Sequence, residues 1–253
     1  MIEEKNIIVC GIATRYFVRP GNGTPIVFLH GWRSEGNVWL SIFPKIPDLF
    51  SLFAVDLPGF GKSDKPPKAF TVSDYGEVIR EFIEKLGLRS VCLVGHSFGG
   101  RVAIKLAAEQ PGYISRVVLA GSAGVRERPI SRSILAAIAK IVKPIFRLSL
   151  FQGLRRKIYR AIGAGDYVAT PELKETFVRV VGEDLRPLLP KISQPTLLIW
   201  GENDQVTPLR QGEQMREWIP NAALITIKNA GHFSFLDQPE EFSRHLNAFL
   251  ATQ

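Results

Sequence analysis

The 253-residue chain is 45% hydrophobic, 22% charged and 10% aromatic, a composition that excludes a disordered protein and suits one folded α/β domain with a core needing no disulfide or metal staple. Its net charge of +8 is concentrated in one place: residues 126–160 hold ten bases and one acid, a net +9, and the other 218 residues carry −1. That local basicity lacks any recognition motif or base-stacking platform, which excludes nucleic-acid binding; no apolar run reaches the length of about 18 residues expected of a membrane span, and the nearest is broken by Lys140, Lys143 and Pro144.

The chain starts with Met1, Ile2, Glu3, Glu4 and Lys5, an acidic stretch in which no secretory signal is expected. Residues 7–9 and 14–18 flank Gly11 and end at Pro20, Gly21 and Gly23, which predicts a strand pair and a turn. Residues 25–29, 52–55, 91–94, 117–119, 196–200 and 224–227 are short apolar runs of the kind buried on both faces of a parallel sheet. Cys10 and Cys92, the only cysteines, both fall in runs that read as buried strands, so two free core thiols in a reducing cytoplasm are expected. Four histidines without a His-Glu-x-x-His pattern predict no metal site.

Between the strands lie helical patterns. Residues 74–86 place Tyr75, Val78, Ile79, Phe82, Ile83 and Leu86 on one stripe, with Gly87 as the stop; residues 103–108 and 240–250 are similar. Strands alternating with helices predict an α/β fold: a mostly parallel central sheet with helices on both faces and its chemistry at the carboxyl edge of the strands. Residues 122–191 break this rhythm. Their apolar positions Ile134, Ile138, Ile141, Ile145 and Leu148 recur at helical spacing, which predicts an inserted helical lid, or cap, between two core pieces, residues 1–121 and 192–253. The bases of this segment allow a solvated face, attraction of anionic substrates, or contact with an anionic surface.

Directly after the 91–94 run stands Gly95-His96-Ser97-Phe98-Gly99. A serine on a tight strand-to-helix turn becomes an exposed nucleophile, and close packing at that turn demands glycines two positions to either side. The helix that follows turns the backbone N–H of Phe98 toward developing negative charge. Ser97 requires a base, and His232, in the loop after the last strand and preceded by Gly231, is the candidate. His30 is expected to hold its own loop, and His96 to point away from the nucleophile. The base requires an orienting carboxylate. Asp204, in the loop after residues 196–200, is chosen over Glu202, which reads as a surface acid. The position after the 117–119 run offers Gly121, Ser122 and Ala123 and no acid. A second oxyanion donor is expected from the backbone N–H of Trp32, beside His30 and Gly31. Trp32, Phe98, Phe146 and Phe233 are the expected lining of the substrate pocket.

Five ordered motifs carry a family resemblance: His30-Gly31-Trp32; Asp56 with Gly59, Gly61 and Ser63; Gly95, Ser97 and Gly99; Gly201 with Asp204; and Gly231-His232. On these the chain resembles the α/β-hydrolase fold superfamily, in its serine-nucleophile, carboxylesterase-like branch. The resemblance implies Ser97 as nucleophile, His232 as base, Asp204 as orienting acid, the N–H groups of Trp32 and Phe98 as the oxyanion hole, and no cofactor. It also implies that residues 56–63 form a structural turn, not a phosphate loop. The implied reaction is carboxylic ester hydrolysis through an acyl-enzyme, on a small ester with an apolar acyl or alcohol group. Carbon–carbon bond hydrolysis, lactone or thioester hydrolysis, and a small-ligand receptor on the same fold remain open alternatives. A cytoplasmic monomer or weak homodimer is expected.

Overall fold

A computed structural model describes residues 1–109, 111–125 and 170–251. Its eight strands form one sheet: β1 Glu3–Val9, β2 Ile12–Arg19, β3 Pro25–Leu29, β4 Ser51–Val55, β5 Val91–His96, β6 Ile114–Ala120, β7 Thr196–Gly201 and β8 Ala222–Ile227, in the spatial order β1-β2-β4-β3-β5-β6-β7-β8. The pairs β1–β2 and β2–β4 are antiparallel, and every pair from β4 to β8 is parallel. The helices, numbered among the described residues, are α1 Val72–Lys85, α2 Phe98–Ala108, α3 Lys174–Gly182, α4 Leu209–Trp218, α5 Ser234–Asp237 and α6 Pro239–Ala251. None of the described helices is long and apolar enough to cross a membrane.

The inner strands β3, β4, β5 and β7 are nearly all apolar because both of their faces are buried, whereas the edge strand β1 is polar and mostly exposed. Successive side chains point to opposite faces, and the two cores follow that alternation. Val27, Leu29, Leu93, Leu198 and Trp200 join α1 and α2 in one core. Ile26, Phe28, Val94, Leu197 and Ile199 join Trp39, Ile42, Phe43, Phe235, Phe242 and Leu246 in the other. In the second core the Trp39 and Phe235 rings stack with centroids 4.0 Å apart. Helix α1 opens on a capping box between Thr71 and Asp74, which meets two otherwise unpaired N–H groups, and Gly87 follows it at φ +63°.

The chain runs from β3 to β4 in one direction across the sheet and from β3's other side outward through β5 to β8. The loops after β3 and β5 therefore leave neighbouring strands at the point where the strand order reverses, the crevice in which such sheets bind ligands. Residues 56–63 form a turn and open no helix. The Asp56 carboxylate accepts hydrogen bonds from Arg15 Nε at 2.6 Å, Gly36 N at 2.6 Å and Lys62 N at 2.8 Å. This buried acid therefore ties β2, the 34–37 loop and its own turn together.

Cys10 corrects an expectation. It lies in the exposed β1–β2 turn at φ +49°, not in a buried strand; Cys92 is buried on β5, and both thiols are free. Within residues 122–191, the described parts pack on the core: Val125, Leu173, Val180, Leu185 and Leu189 are all buried in the α1–α2 cluster. The Ile134–Leu148 stripe, the basic cluster and Phe146 lie outside the described residues.

Candidate active site

Ser97 stands between β5 and α2 at φ +51°, ψ −110°, a backbone conformation costing about 1–3 kcal/mol for a residue with a Cβ. The turn is tight on both sides. A Cβ at Gly95 would meet Gly99 O at 2.5 Å, and one at Gly99 would meet His30 O at 2.7 Å. Only glycine fits these two positions, which explains the Gly-x-Ser-x-Gly spacing. Ser97 N donates to Ala120 O and Ala123 N donates to Ser97 O, at 3.2 and 3.1 Å, so the serine is pinned to the end of β6.

The loops after β7 and β8 meet at the same edge. His232 Nδ1 lies 2.8 Å from Asp204 Oδ2, and the Asp204 carboxylate is buried. Asp204 Oδ1 accepts the N–H groups of Val206 and Thr207 at 2.8 and 2.9 Å. Burial pushes the Asp204 pKa upward, but the hydrogen bonds and charge of His232 together with the Thr207 bonds outweigh it, and the net shift is downward. An ionised Asp204 places the His232 proton on Nδ1 and leaves Nε2 with a lone pair. Glu202 is exposed, as a surface acid should be.

Gly121 joins these groups to the serine. A Cβ there would meet Asp204 Oδ2 at 3.1 Å and His232 Nδ1 at 3.4 Å, and the Ser97 backbone bonds Ala120, one residue before it, and Ala123, two residues after. The structure thus pairs His232 with Asp204 and brings Ser97 to the same corner. Among the described residues no hydrogen bond joins the Ser97 hydroxyl to the His232 ring. Such bonds are often long in a free enzyme and tighten only around substrate.

His96 makes the connection on the other side. It is buried; its Nε2 donates to His232 O at 3.0 Å, and the two rings lie 4.6 Å apart. Burial and the neighbouring His232 push its pKa down to about 3, so the ring is neutral with its proton on Nε2. His30 is neutral as well, held down to about 4 by burial. Its Nδ1 donates to Gly31 O at 2.7 Å and its Nε2 accepts Leu57 N–H at 3.0 Å, which is the loop-holding role its position suggested.

The loop after β3 passes against the Ser97 turn. A Cβ at Gly31 would meet His96 Nδ1 at 2.9 Å and Ser97 Cβ at 3.3 Å, so glycine is what lets this backbone come close. Among the described residues no backbone acceptor takes the N–H of Trp32 or of Phe98; Phe98 opens α2, where such N–H groups are unpaired within the helix. The Trp32 indole lies edge-on to Phe60 and Phe98, 4.9 and 5.2 Å between centroids, and touches Phe177 of α3 at 5.2 Å. Its Nε1 donates to Thr170 Oγ1 at 3.3 Å. The Phe98 side chain is buried against Tyr75 and backs Trp32 from the core. Phe233 is 38% exposed beside the His96 and His232 rings.

Two residues were missed in the sequence as parts of this corner: His96, as the donor to the His232 carbonyl, and Thr207, whose hydroxyl approaches Asp204, His232 and Gly121 at once. No motif announces either contact. Among the described residues no group of His, Cys, Asp and Glu could hold a metal ion.

Comparison with known proteins places the chain among hydrolases. The chain is similar to the uncharacterized hydrolase YugF of Bacillus subtilis, 27% identical over 93% of this chain and 92% of that protein. It is also similar to a pimeloyl-[acyl-carrier protein] methyl ester esterase of Nitrosomonas europaea, 29% identical over 91% of this chain and 97% of that protein. Among solved structures, the esterase EaEST from Exiguobacterium antarcticum superposes with a TM-score of 0.77 at 27% identity, covering 99% of this chain and 100% of that one. Residues 26–245 match the alpha/beta hydrolase family as a whole, and the chain belongs to that family.

Proposed function

We propose that this protein is a serine hydrolase that cleaves carboxylic esters through an acyl-enzyme, with Ser97 as nucleophile, His232 as general base and Asp204 as the orienting acid. The observation that carries the reading is the 2.8 Å pair of His232 Nδ1 and Asp204 Oδ2 at the sheet edge where Ser97 stands on its strained turn. In this scheme His232 Nε2 takes the Ser97 proton as Oγ attacks the ester carbonyl. The resulting imidazolium is stabilised by Asp204, and the tetrahedral oxyanion by the N–H groups of Trp32 and Phe98. His232 then returns the proton to the departing alcohol. Water, deprotonated by the same imidazole, releases the acid and restores the serine. The chemistry needs no cofactor. The buried Cys92 thiol, pushed up to about 12 by burial, offers no competing nucleophile.

Trp32 and Phe233 line the substrate side in this reading, with Phe98 behind Trp32. The segment 122–191 serves as a lid: Thr170 and Phe177, both from that segment, lie against Trp32. The free thiols of Cys10 and Cys92 suit a reducing cytoplasm. The methyl ester esterase among the relatives and the esterase fold neighbour support ester cleavage. The test is a series of p-nitrophenyl esters from acetate to palmitate with wild type and Ser97→Ala. A reproducible chain-length optimum is expected, with turnover lower by at least about 10³-fold in the variant; wild-type turnover in Ser97→Ala ends the proposal.

A further inference from the structure

We infer that Thr207 is a positioning residue of the esterase site, its hydroxyl holding the Asp204 carboxylate in the plane and charge state that His232 needs. The inference rests on the ester-hydrolase reading above. Thr207 is buried, and its Oγ1 lies 2.8 Å from Asp204 Oδ2, 2.9 Å from Gly121 O and 3.2 Å from His232 Nδ1. Its backbone is engaged too: its N–H donates to Asp204 Oδ1 at 2.9 Å, and its carbonyl accepts Trp200 Nε1–H at 2.8 Å. The backbone is therefore held on both sides of the Thr207 Cα, and the buried hydroxyl sits in the corner against Asp204 and Gly121.

One hydroxyl proton faces two acceptors. A carboxylate is the stronger acceptor, so the proton goes to Asp204 Oδ2, with Gly121 O as the second choice. Asp204 then receives four donors: Val206 and Thr207 N–H on Oδ1, and Thr207 O–H and His232 Nδ1–H on Oδ2. Four donors fill the carboxylate's lone-pair sites. The Thr207 bond does two things through that count. It stops the carboxylate rotating about its last torsion, which fixes the Nδ1–H···Oδ2 direction and so the aim of Nε2. It also draws off part of the negative charge that Oδ2 presents to the imidazole. Among the described residues, the ionisable groups facing His232 are Asp204 and the neutral His96, with Asp237 on α5 engaged by Gly231 N at 2.7 Å, so Asp204 is the anion whose field this hydroxyl tunes.

Thr207→Val preserves shape and removes only the hydroxyl; Thr207→Ser keeps it. With a p-nitrophenyl ester, Thr207→Val is expected to lower kcat by about tenfold, which corresponds to about 1.4 kcal/mol, with little change in KM. The acid limb of kcat/KM should move to higher pH, because the imidazole then sees more of the carboxylate charge. The downfield Nδ1 proton resonance of His232 should shift in the same variant. Thr207→Ser should restore all three. Wild-type kcat, pH limb and resonance in Thr207→Val would overturn the inference, and so would equal losses in the Val and Ser variants, the mark of a merely structural role. Ser97→Ala, run alongside, separates the two readings: if it retains turnover, the ester-hydrolase reading fails and this inference with it. If it is inactive while Thr207→Val behaves as wild type, only this inference fails.

Discussion

Asp204→Asn is nearly isosteric and removes a charge, and the structure dictates how the new amide must sit. Asp204 Oδ1 holds two backbone donors, Val206 N and Thr207 N, while Oδ2 faces His232 Nδ1. If the Asn oxygen stays on the two backbone N–H groups, its NH2 points at His232 Nδ1 and forces the ring proton onto Nε2, where it can no longer accept from Ser97. The opposite flip keeps the productive tautomer but sets an NH2 against two backbone donors. Each unmet buried donor costs about 1–3 kcal/mol, so the productive arrangement lies about 2–6 kcal/mol higher. At about 1.4 kcal/mol per tenfold, that depletes the active form by between about 30-fold and 10⁴-fold, before any loss of imidazolium stabilisation. The expected outcome is a fall of order 10³ in kcat/KM for a p-nitrophenyl ester, with the thermal unfolding midpoint little changed. Activity within tenfold of wild type, in a folded Asp204→Asn protein, would refute the role of this carboxylate.

Gly31→Ala puts a methyl 2.9 Å from His96 Nδ1 and 3.3 Å from Ser97 Cβ, so the Trp32 loop must retreat. A fall in kcat of about 10²-fold, the usual cost of one oxyanion donor, is expected with KM nearly constant in steady-state kinetics. Stability should also fall with acid. His30 and His96 have folded values of about 4 and about 3, against 6.5 for a free imidazole. Both are neutral in either state well above pH 6.5, so stability is complete there; as pH falls through 6.5 the unfolded chain binds protons that the folded chain refuses. Between pH 6.5 and about pH 5 the two together should remove about 3 kcal/mol, read as a lower urea midpoint; an unchanged midpoint would contradict their burial as neutral rings. Asp204, with its lowered pKa, adds a further loss only at more acid pH, as it protonates.

Much of this was legible in the sequence because the physics was local. Residues 25–29 are β3 to the residue, since a doubly buried strand leaves no room for a polar side chain. Ser97 and its glycines were legible because close backbone packing restricts residue type at fixed spacing. Helix α4 went unread because only Gln211, Gly212 and Met215 of its ten residues are buried, which leaves no apolar stripe. Helix α2 starts at Phe98 and not near residue 103; Gly99 and Gly100 weaken helix propensity, yet packing against Leu29, His30 and Ser122 requires them. Cys10 read as a strand residue because the β1–β2 turn is confined to Cys10 and Gly11. His96 and Thr207 act through contacts with residues 136 and 25 positions away, a distance at which spacing carries no signal.

The most direct measurement is covalent labelling with a fluorophosphonate, followed by peptide mapping of the adduct. A single adduct on Ser97, formed in step with loss of ester turnover and much more slowly in His232→Ala, is the predicted result. An adduct on another residue, or full ester turnover by protein labelled at Ser97, would contradict it.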